Sequence, residues 1–293
     1  MNKGFKWMNE REKLLLKSAR TLPYMTLQDG DELSIHFFLP KDFKEGPPRP
    51  VFLFFNSGAW DRGNVIQFAP QALYYVERGA VCGLVEYRNR ASHPASRPLQ
   101  SLQDGLAAVR YTRQQAEPLH LDRNRVIAVG AGAGGNIAAC ALMGIPTSGL
   151  AAESDPLETR PNAAVLISSI IEVNKGGYGY DAFADAAEAR LLSLSRHVDS
   201  GVPPMLLIHG TADRLVPHED AAEFAAKMER KKNPCDYVEF EGRDHHFFNL
   251  NVDPVSYEAS LAVIDDFLDR RGILKKEGNH ESPQLITWRE KDY

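Results

Sequence analysis

Cysteine is scarce in this chain of 293 residues, where only Cys82, Cys140 and Cys235 occur. Three scattered thiols do not supply the paired spacing of a disulfide framework, so they indicate reduced thiols in a cytoplasmic protein. The first 20 residues are charged throughout and contain no apolar run of the kind that a secretory signal needs. We therefore expect a cytoplasmic location, although a leader removed earlier would leave no trace in the sequence.

An excess of positive charge is also missing. The chain has 34 Lys and Arg residues against 39 Asp and Glu residues, which gives a net charge of -5. Nucleic acids and anionic membrane surfaces attract proteins through clustered basic residues, and this sequence has no basic run. Neither nucleic acid nor a membrane is therefore an expected partner.

Long charge-free runs are rare, and the longest extends from Val126 to Pro146. It is nominally long enough to cross a bilayer, which takes about 20 residues. Because it contains five glycines and Asn136, it predicts a strand, a turn and a helix inside a protein core. The overall 43% hydrophobic and 25% charged residues are ordinary for a folded domain and exclude collagen-like and disordered classes.

Short runs of β-branched and aromatic residues alternate with helical patterns along the chain. This alternation is typical of βαβ units, and the nearly continuous apolar runs indicate strands covered on both faces. We predict an α/β fold with a mostly parallel central sheet, helices on both faces and an antiparallel N-terminal hairpin that turns at Asp29 and Gly30. The predicted strands are 24–28, 33–39, 51–56, 81–87, 125–130, 163–169, 204–210 and 236–241.

Apolar residues at helical spacing predict helices between these strands. One such helix covers 99–109, and Ser101 and Asp104 are interpreted as its N-terminal capping pair. Another contains Phe224 and Met228, and a last one extends over 257–268 and stops at Gly272.

The length allows one large domain or two small ones. We predict a single domain over residues 1–274, because the motifs described below follow one another through most of that range. Two segments, 144–161 and 172–203, interrupt the alternation of strands and helices and are interpreted as cap-like insertions that carry specificity. Residues 275–293 are polar and aperiodic, which predicts a C-terminal tail.

The glycine-rich turn at 130–135 permits two interpretations. Gly130, Gly132 and Gly135 match the G-x-G-x-x-G pattern, in which glycines let a dinucleotide pyrophosphate approach a helix N-terminus. The context is poor, because this pattern normally opens its domain and is followed by an acid at the end of a second strand. Here strands precede the turn, and Glu153 and Asp155 lie in a loop-like segment.

The second interpretation is the nucleophile elbow G-x-S-x-G of α/β-hydrolases. Residues 130–134 fill its frame, with Gly132 at the serine position. The remaining members must then follow in the order nucleophile, acid, histidine. Asp213 comes after a buried strand and His245 after the next strand, as this order requires. Upstream, residues 56–60 follow another strand and could turn backbone N–H groups toward an oxyanion.

Together these segments resemble a known family. Residues 56–60 (Asn-Ser-Gly-Ala-Trp) look like the H-G-G-G/A-W oxyanion loop, and 86–88 look like a D/E-Y-R strand end. With the elbow, the segment 209–213 and the pattern Gly242-x-x-His245-x-Phe247, they are similar to α/β-hydrolases of the acetyl-esterase and hormone-sensitive-lipase-like group. The resemblance covers roughly residues 33–274 and implies a carboxylic-ester hydrolase of the α/β-hydrolase fold.

The resemblance also implies roles for individual residues. Asp213 would be the triad acid and His245 the base, while the Ala133 N–H and that of Ser57 or Gly58 would form the oxyanion hole. Apart from the resemblance, Trp60, Tyr178 and Tyr180 are interpreted as candidates to line a substrate pocket, with ordinary packing as the alternative. Two departures stand out. Asn56 replaces the loop histidine, which is mild because backbone N–H groups do that work, and Gly132 replaces the nucleophilic serine.

Without that serine, the chain is expected to be nearly inert toward esters. The favoured hypothesis is a hydrolase of small-molecule carboxylic esters, with carbohydrate acetyl esters as one candidate substrate, in which Gly132 is an engineered or natural loss. The first alternative is a pseudoenzyme that binds an ester-like ligand, and the second is a dinucleotide-binding protein. Under the favoured hypothesis no cofactor is expected.

Other residues receive structural interpretations. Asp244, His245 and His246 lack the spacing of a metal site, so no metal is expected. His209 is interpreted as a satisfied core histidine, and Arg88 with Asp104 as a structural pair or cap. Ser57 is not expected to replace the missing nucleophile, because its loop must offer N–H groups instead.

Overall fold

The protein is described by a computed structural model that covers residues 10–147 and 156–275. Parts of two predicted segments, 148–155 of the first insertion and 276–293 of the tail, lie outside the described residues. Within the described residues, eight strands form one sheet in the order β1-β2-β4-β3-β5-β6-β7-β8. They are β1 (Arg20–Thr26), β2 (Glu32–Phe38), β3 (Arg49–Phe55), β4 (Val81–Val85), β5 (Leu121–Ala131), β6 (Ala163–Ile167), β7 (Met205–Gly210) and β8 (Cys235–Phe240).

The sheet is mostly parallel, as predicted. Strand β2 pairs antiparallel with β1 and with β4. The remaining pairs along the order β4-β3-β5-β6-β7-β8 are all parallel. The helices are α1 (Glu10–Lys17), α2 (Ala69–Glu77), α3 (Pro98–Gln114), α4 (Gly132–Met143), α5 (Pro156–Thr159), α6 (Ala186–Leu191), α7 (His218–Arg230) and α8 (Pro254–Arg270), with 3-10 turns at Val65–Phe68, Tyr180–Ala182 and Leu194–His197.

Helices cover both faces of the sheet, because alternate side chains of each buried strand point to opposite faces. In β3, Leu53 belongs to a buried cluster with residues of α3, α4 and α7. Its neighbour Phe52 belongs to a second cluster with residues of α2 and α8. The predicted fold class is therefore confirmed. The charge-free stretch is also confirmed as the end of β5 followed by α4.

The predicted capping pair of α3 is wrong. The helix begins three residues earlier than Ser101, at Pro98, whose fixed φ and missing N–H suit a first helical position. The Arg97 N–H donates to Oε1 of Gln100 at 2.9 Å. Ser101 and Asp104 lie inside the helix, and both contact Arg88 instead, so the predicted structural pair of Arg88 and Asp104 is confirmed.

Among the described residues, no helix has the length and the apolar composition needed to cross a membrane.

Candidate active site

The site lies where β3, β5, β7 and β8 end, since parallel strands bring their carboxyl ends to one edge of a sheet. At the end of β5 the chain turns sharply into α4 at Gly132, which has φ +52°. Neighbouring glycines allow this turn to pack closely. A Cβ on Gly134 would lie 2.1 Å from the carbonyl oxygen of Phe55, and one on Gly130 would lie 2.3 Å from that of Gly134. The sequence motif is thus a tight strand-to-helix elbow.

The missing side chain at position 132 would point into the site. A Cβ placed on Gly132 would lie 3.6 Å from Nε2 of His245 and 3.3 Å from Cβ of Ser57. A hydroxyl one bond further out would reach hydrogen-bond distance of the imidazole. A side chain at position 132 would therefore lie within reach of the imidazole, but Gly132 carries no nucleophilic atom.

The residues predicted as the acid and the base, Asp213 and His245, lie in contact. Nδ1 of His245 lies 2.7 Å from Oδ2 of Asp213, in a pair that is almost completely shielded from water. A carboxylate only accepts, so Nδ1 carries the proton and Nε2 presents its lone pair. Nε2 is buried and has no hydrogen-bond partner among the described residues. Its free lone pair is what a general base needs.

Asp213 is held by more groups than the sequence suggested. Nε2 of His209, at the end of β7, lies 3.0 Å from the same Oδ2 and 3.2 Å from the Val216 carbonyl oxygen, so it donates to both. The other oxygen, Oδ1, accepts from the N–H groups of Leu215 and Val216, each at 2.9 Å. Burial disfavours the charged form, but these hydrogen bonds outweigh it and hold the pKa of Asp213 below its ordinary value.

His209 is therefore a buried and satisfied histidine, as predicted. Sequence reasoning missed that the group it satisfies is the carboxylate of Asp213. The spacing of four residues between them gave no indication, because a strand end and a loop separate the two side chains.

The loop after β3 has an unusual backbone. Gly58, Ala59 and Trp60 all have positive φ values of 136°, 54° and 58°. The N–H groups of Ser57 and Gly58 are the two alternative oxyanion donors predicted in this loop. The N–H of Ser57 already donates to Oε1 of Gln67 at 2.7 Å. The remaining predicted donors are the N–H groups of Gly58 and of Ala133, at the N-terminus of α4.

Trp60 does not line the site. Its side chain is 1% exposed and packs edge-on against Phe183 with ring centroids 5.1 Å apart. A large aromatic ring after β3 is buried below the loop and supports it, which corrects the predicted role in the substrate pocket. Tyr178, by contrast, lies against the imidazole of His245 with centroids 5.7 Å apart.

A groove of about 1660 Å³ runs along this loop. Ser57, Gly58, Tyr178 and His246 are among the residues that line it. Burial, and then the neighbouring His245, lower the pKa of His246 below its ordinary value, so this side chain is uncharged at neutral pH. Arg62 and Glu77 also line the groove, so it carries charged groups of both signs.

Potential metal ligands gather elsewhere. Asp29, Asp31 and His93 place ligand atoms within 4.8 Å of one another, and this is the one such group in the described parts of the chain. It lies at the N-terminal hairpin, beside a second cavity of about 650 Å³ that does not include the elbow or the His245 pair.

Known proteins share this architecture. A thermophilic esterase from the planctomycete Thermogutta terrifontis superimposes with a TM-score of 0.82 and 31% identity, over 90% of this chain and 96% of that one. The same esterase phosphonylated by cyclosarin matches with a TM-score of 0.81 and 32% identity, over 89% and 97% of the two chains.

Curated sequences also match. Esterase LipC of Mycobacterium tuberculosis is 25% identical over 68% of this chain and 53% of its own length. A probable isoprenylcysteine alpha-carbonyl methylesterase of Oryza sativa is 22% identical over 83% of this chain and 66% of its own length. The chain thus spans about half to two thirds of the length of these relatives. Residues 52–249 match the model of the alpha/beta hydrolase fold family, and the chain belongs to that family.

Proposed function

We propose that this site hydrolyses small-molecule carboxylic esters when position 132 carries a serine, and that Gly132 removes most of that activity from the present chain. The observation that carries the proposal is the intact Asp213–His245 pair, whose free Nε2 faces the empty position 132 at 3.6 Å. The relatives in the fold family that are named as esterases support the same reaction class.

The reaction of the serine form follows from the geometry. The hydroxyl at position 132 attacks the ester carbonyl carbon while its proton moves to Nε2 of His245. The N–H groups of Gly58 and Ala133 stabilise the negative charge that develops on the carbonyl oxygen. His245 then returns the proton to the departing alcohol. Water, deprotonated by His245, releases the acid and restores the serine.

Asp213 keeps the imidazole of His245 in the tautomer that can accept this proton. Its pKa, held below the ordinary value, keeps it ionised as His245 becomes positively charged. His209 holds Asp213 from the other side and does not face the groove. We assign it a positioning role.

Carbohydrate acetyl esters remain a candidate substrate class within this proposal. The groove of about 1660 Å³ shares Ser57, Gly58 and Tyr178 with this site and is large enough for an alcohol the size of a sugar ring.

A binding protein without catalysis would not need an acid and a base in hydrogen-bond contact. A dinucleotide-binding protein would need free space before the N-terminus of α4. In this chain Ser57 and His245 lie there, within 3.3 and 3.6 Å of the Cβ position of residue 132. Both observations favour the hydrolase.

The test compares Gly132→Ser with Gly132→Ala, which adds the same Cβ without a hydroxyl. With an aryl acetate, we expect the serine variant to turn over at least about 10³ times faster than the alanine variant and the unchanged chain. Equal rates in all three proteins would overturn the proposal. Binding of the ester without hydrolysis by Gly132→Ser would identify a binding protein, and a thermal shift with nicotinamide or flavin dinucleotides would favour the dinucleotide alternative.

A further inference from the structure

The peptide group that joins Asn56 to Ser57 is fixed at both of its polar atoms. Its N–H donates to Oε1 of Gln67 at 2.7 Å, and its carbonyl oxygen accepts from the hydroxyl of Tyr87, also at 2.7 Å. Because a peptide group is planar, hydrogen bonds on its two opposite sides hold the whole plane in place. The N–H of Gly58 belongs to the next peptide group, so its direction depends on this plane.

Gln67 also reaches the loop that carries the base. Its Nε2 donates to Oδ1 of Asn249 at 3.3 Å, and Nδ2 of Asn249 donates to the carbonyl oxygen of His246 at 3.0 Å. A backbone N–H only donates and a carbonyl oxygen only accepts, so the two ends of this series of hydrogen bonds determine the orientation of both amides. Gln67 therefore connects Ser57 with the residue that follows His245.

The local backbone places Gln67 between these two loops. It belongs to the 3-10 turn Val65–Phe68, whose N-cap is Asn64. Oδ1 of Asn64 accepts from the Ile66 N–H at 3.1 Å, and its carbonyl oxygen accepts from the Gln67 N–H at 2.9 Å. The Gln67 side chain is half-buried and lines the groove. A capped turn thus holds the amide in position.

We propose that Gln67 is a positioning residue for ester hydrolysis, because it fixes the oxyanion loop and the base loop relative to each other. The inference rests on the proposed function. Backbone donors stabilise a developing oxyanion best when they already point toward it before the reaction begins. Gln67 holds the peptide plane that precedes the Gly58 N–H, and through Asn249 it holds the turn after His245. Both polar atoms of its amide are used by these loops, so it acts through them and not on the substrate.

Gln71 provides a matched comparison, since it has the same side chain and lies four residues further along, in α2. Its Nε2 donates to the carbonyl oxygen of Phe248 at 2.9 Å, in the same base loop. Removing this bond loosens the base loop but leaves the N–H of Ser57 with Gln67. The two glutamines therefore separate a general loosening of the base loop from the loss of the link to the oxyanion loop.

The experiment uses the Gly132→Ser variant, which supplies the nucleophile, and adds Gln67→Leu, Gln67→Glu or Gln71→Leu. Leucine removes both bonds of Gln67, whereas a carboxylate still accepts from the Ser57 N–H and only loses the donor to Asn249. With an aryl acetate, we expect Gln67→Leu to lower kcat at least about tenfold and to change KM less than about threefold. Gln67→Glu should recover part of kcat, and Gln71→Leu should keep kcat within about threefold.

Inhibition by an aryl boronic acid reports on the oxyanion donors directly, because its adduct with a serine is tetrahedral and negatively charged. A transition-state analogue loses affinity in proportion to the lost stabilisation of the transition state. Gln67→Leu should therefore weaken this inhibition by about the factor by which kcat falls. A merely structural role would lower the melting temperature without this proportional change.

Two results would overturn the inference: an unchanged kcat and boronic acid affinity in Gln67→Leu, or equal losses in all three added variants that follow their melting temperatures. The comparison of Gly132→Ser with Gly132→Ala separates this failure from that of the proposed function. If Gly132→Ser is the faster of the two and Gln67→Leu leaves its rate unchanged, only the role of Gln67 falls. If Gly132→Ser is no faster than Gly132→Ala, the proposed function fails and the role of Gln67 falls with it.

Discussion

At the scale of single residues, glycine at position 132 favours the stability of the fold, whereas the proposed ester hydrolysis needs a serine there. Its φ of +52° is easy for glycine and strained for other residues. We expect Gly132→Ser to lower the free energy of unfolding by about 1 kcal/mol, or the melting temperature by a few degrees. Replacing Ser57 by glycine in the same chain removes the close Cβ contact of 3.3 Å, so the double variant should recover part of the loss. Chemical denaturation of the three proteins measures both effects.

Gly144→Ala serves as the control for the backbone alone. Gly144 also has a left-handed φ, of +68°, but a Cβ there would meet nothing within 4 Å. Ser57→Gly should not change the unfolding free energy that Gly144→Ala loses. That result would support the contact between positions 57 and 132 as the cause of the recovery in the double variant. If Gly132→Ser is as stable as the unchanged chain, the elbow is not strained as described.

The pair of Arg88 and Asp104 is a second residue-scale determinant. The Asp104 carboxylate is fully buried and accepts hydrogen bonds from the Arg88 guanidinium and, at 2.9 Å, from the Arg88 backbone N–H. Burial still raises the pKa of Asp104 above its ordinary value despite this partner. Removing the guanidinium leaves a buried carboxylate without a counter-charge, so Arg88→Ala should cost about 3–5 kcal/mol of unfolding free energy.

Arg90→Ala is the matched comparison. Arg90 pairs with Asp61 at 2.9 Å, but both side chains are well exposed to water. Exposed pairs contribute about 0–1 kcal/mol. In urea denaturation, Arg88→Ala should therefore lose clearly more unfolding free energy than Arg90→Ala. Similar losses would contradict the burial of the Asp104 carboxylate.

At the scale of secondary-structure elements, α8 depends on its cap. Asp253 precedes Pro254 and accepts hydrogen bonds from the N–H and the hydroxyl of Ser256, at 3.0 and 2.7 Å. These bonds favour the carboxylate and lower the pKa of Asp253. A lowered carboxyl pKa stabilises the fold above the unfolded value of about 3.9 and loses this contribution as the pH falls through the folded value.

We therefore expect Asp253→Ala to destabilise the protein by about 1 kcal/mol at pH 7. The difference from the unchanged chain should shrink as the pH falls below about 4. Asp253→Asn is the control, since an amide oxygen still caps the helix but does not titrate. Thermal unfolding between pH 7 and pH 3 measures the differences, and a difference that is independent of pH would argue against the cap.

The elements themselves were largely predictable, because apolar runs and glycine turns determine where strands begin and end. The start of β5 at Leu121 was missed, since Asp122, Arg123 and Asn124 interrupt its apolar pattern. The cap of α3 was misplaced because Ser101 and Asp104 have the residue types of a capping pair, but their side chains form hydrogen bonds with Arg88. The bonds of Gln67 to Ser57 and of His209 to Asp213 were not predictable either, since they depend on how separate loops meet.

At the scale of the whole molecule, the order of strands could not be read from the sequence. Strand β4 lies between β2 and β3, and β5 lies on the other side of β3. This order brings the loop at Ser57 next to the elbow at Gly132, while Asp213 and His245 approach from β7 and β8. The site therefore exists only when one sheet holds both halves of the chain.

A single sheet predicts that the two halves unfold together. Phe267 of α8 is fully buried in a cluster that also contains Phe52 of β3 and Leu206 of β7. Phe267→Ala creates a cavity and should cost about 3–5 kcal/mol. In native-state hydrogen exchange, peptides from β3 and from β7 should lose protection by the same free energy, because both exchange through global unfolding. Val255→Ala, at an exposed position of the same helix, should change neither the unfolding free energy nor the protection of these peptides. Loss of protection confined to the β7 peptide would instead divide the chain into two separately folding units.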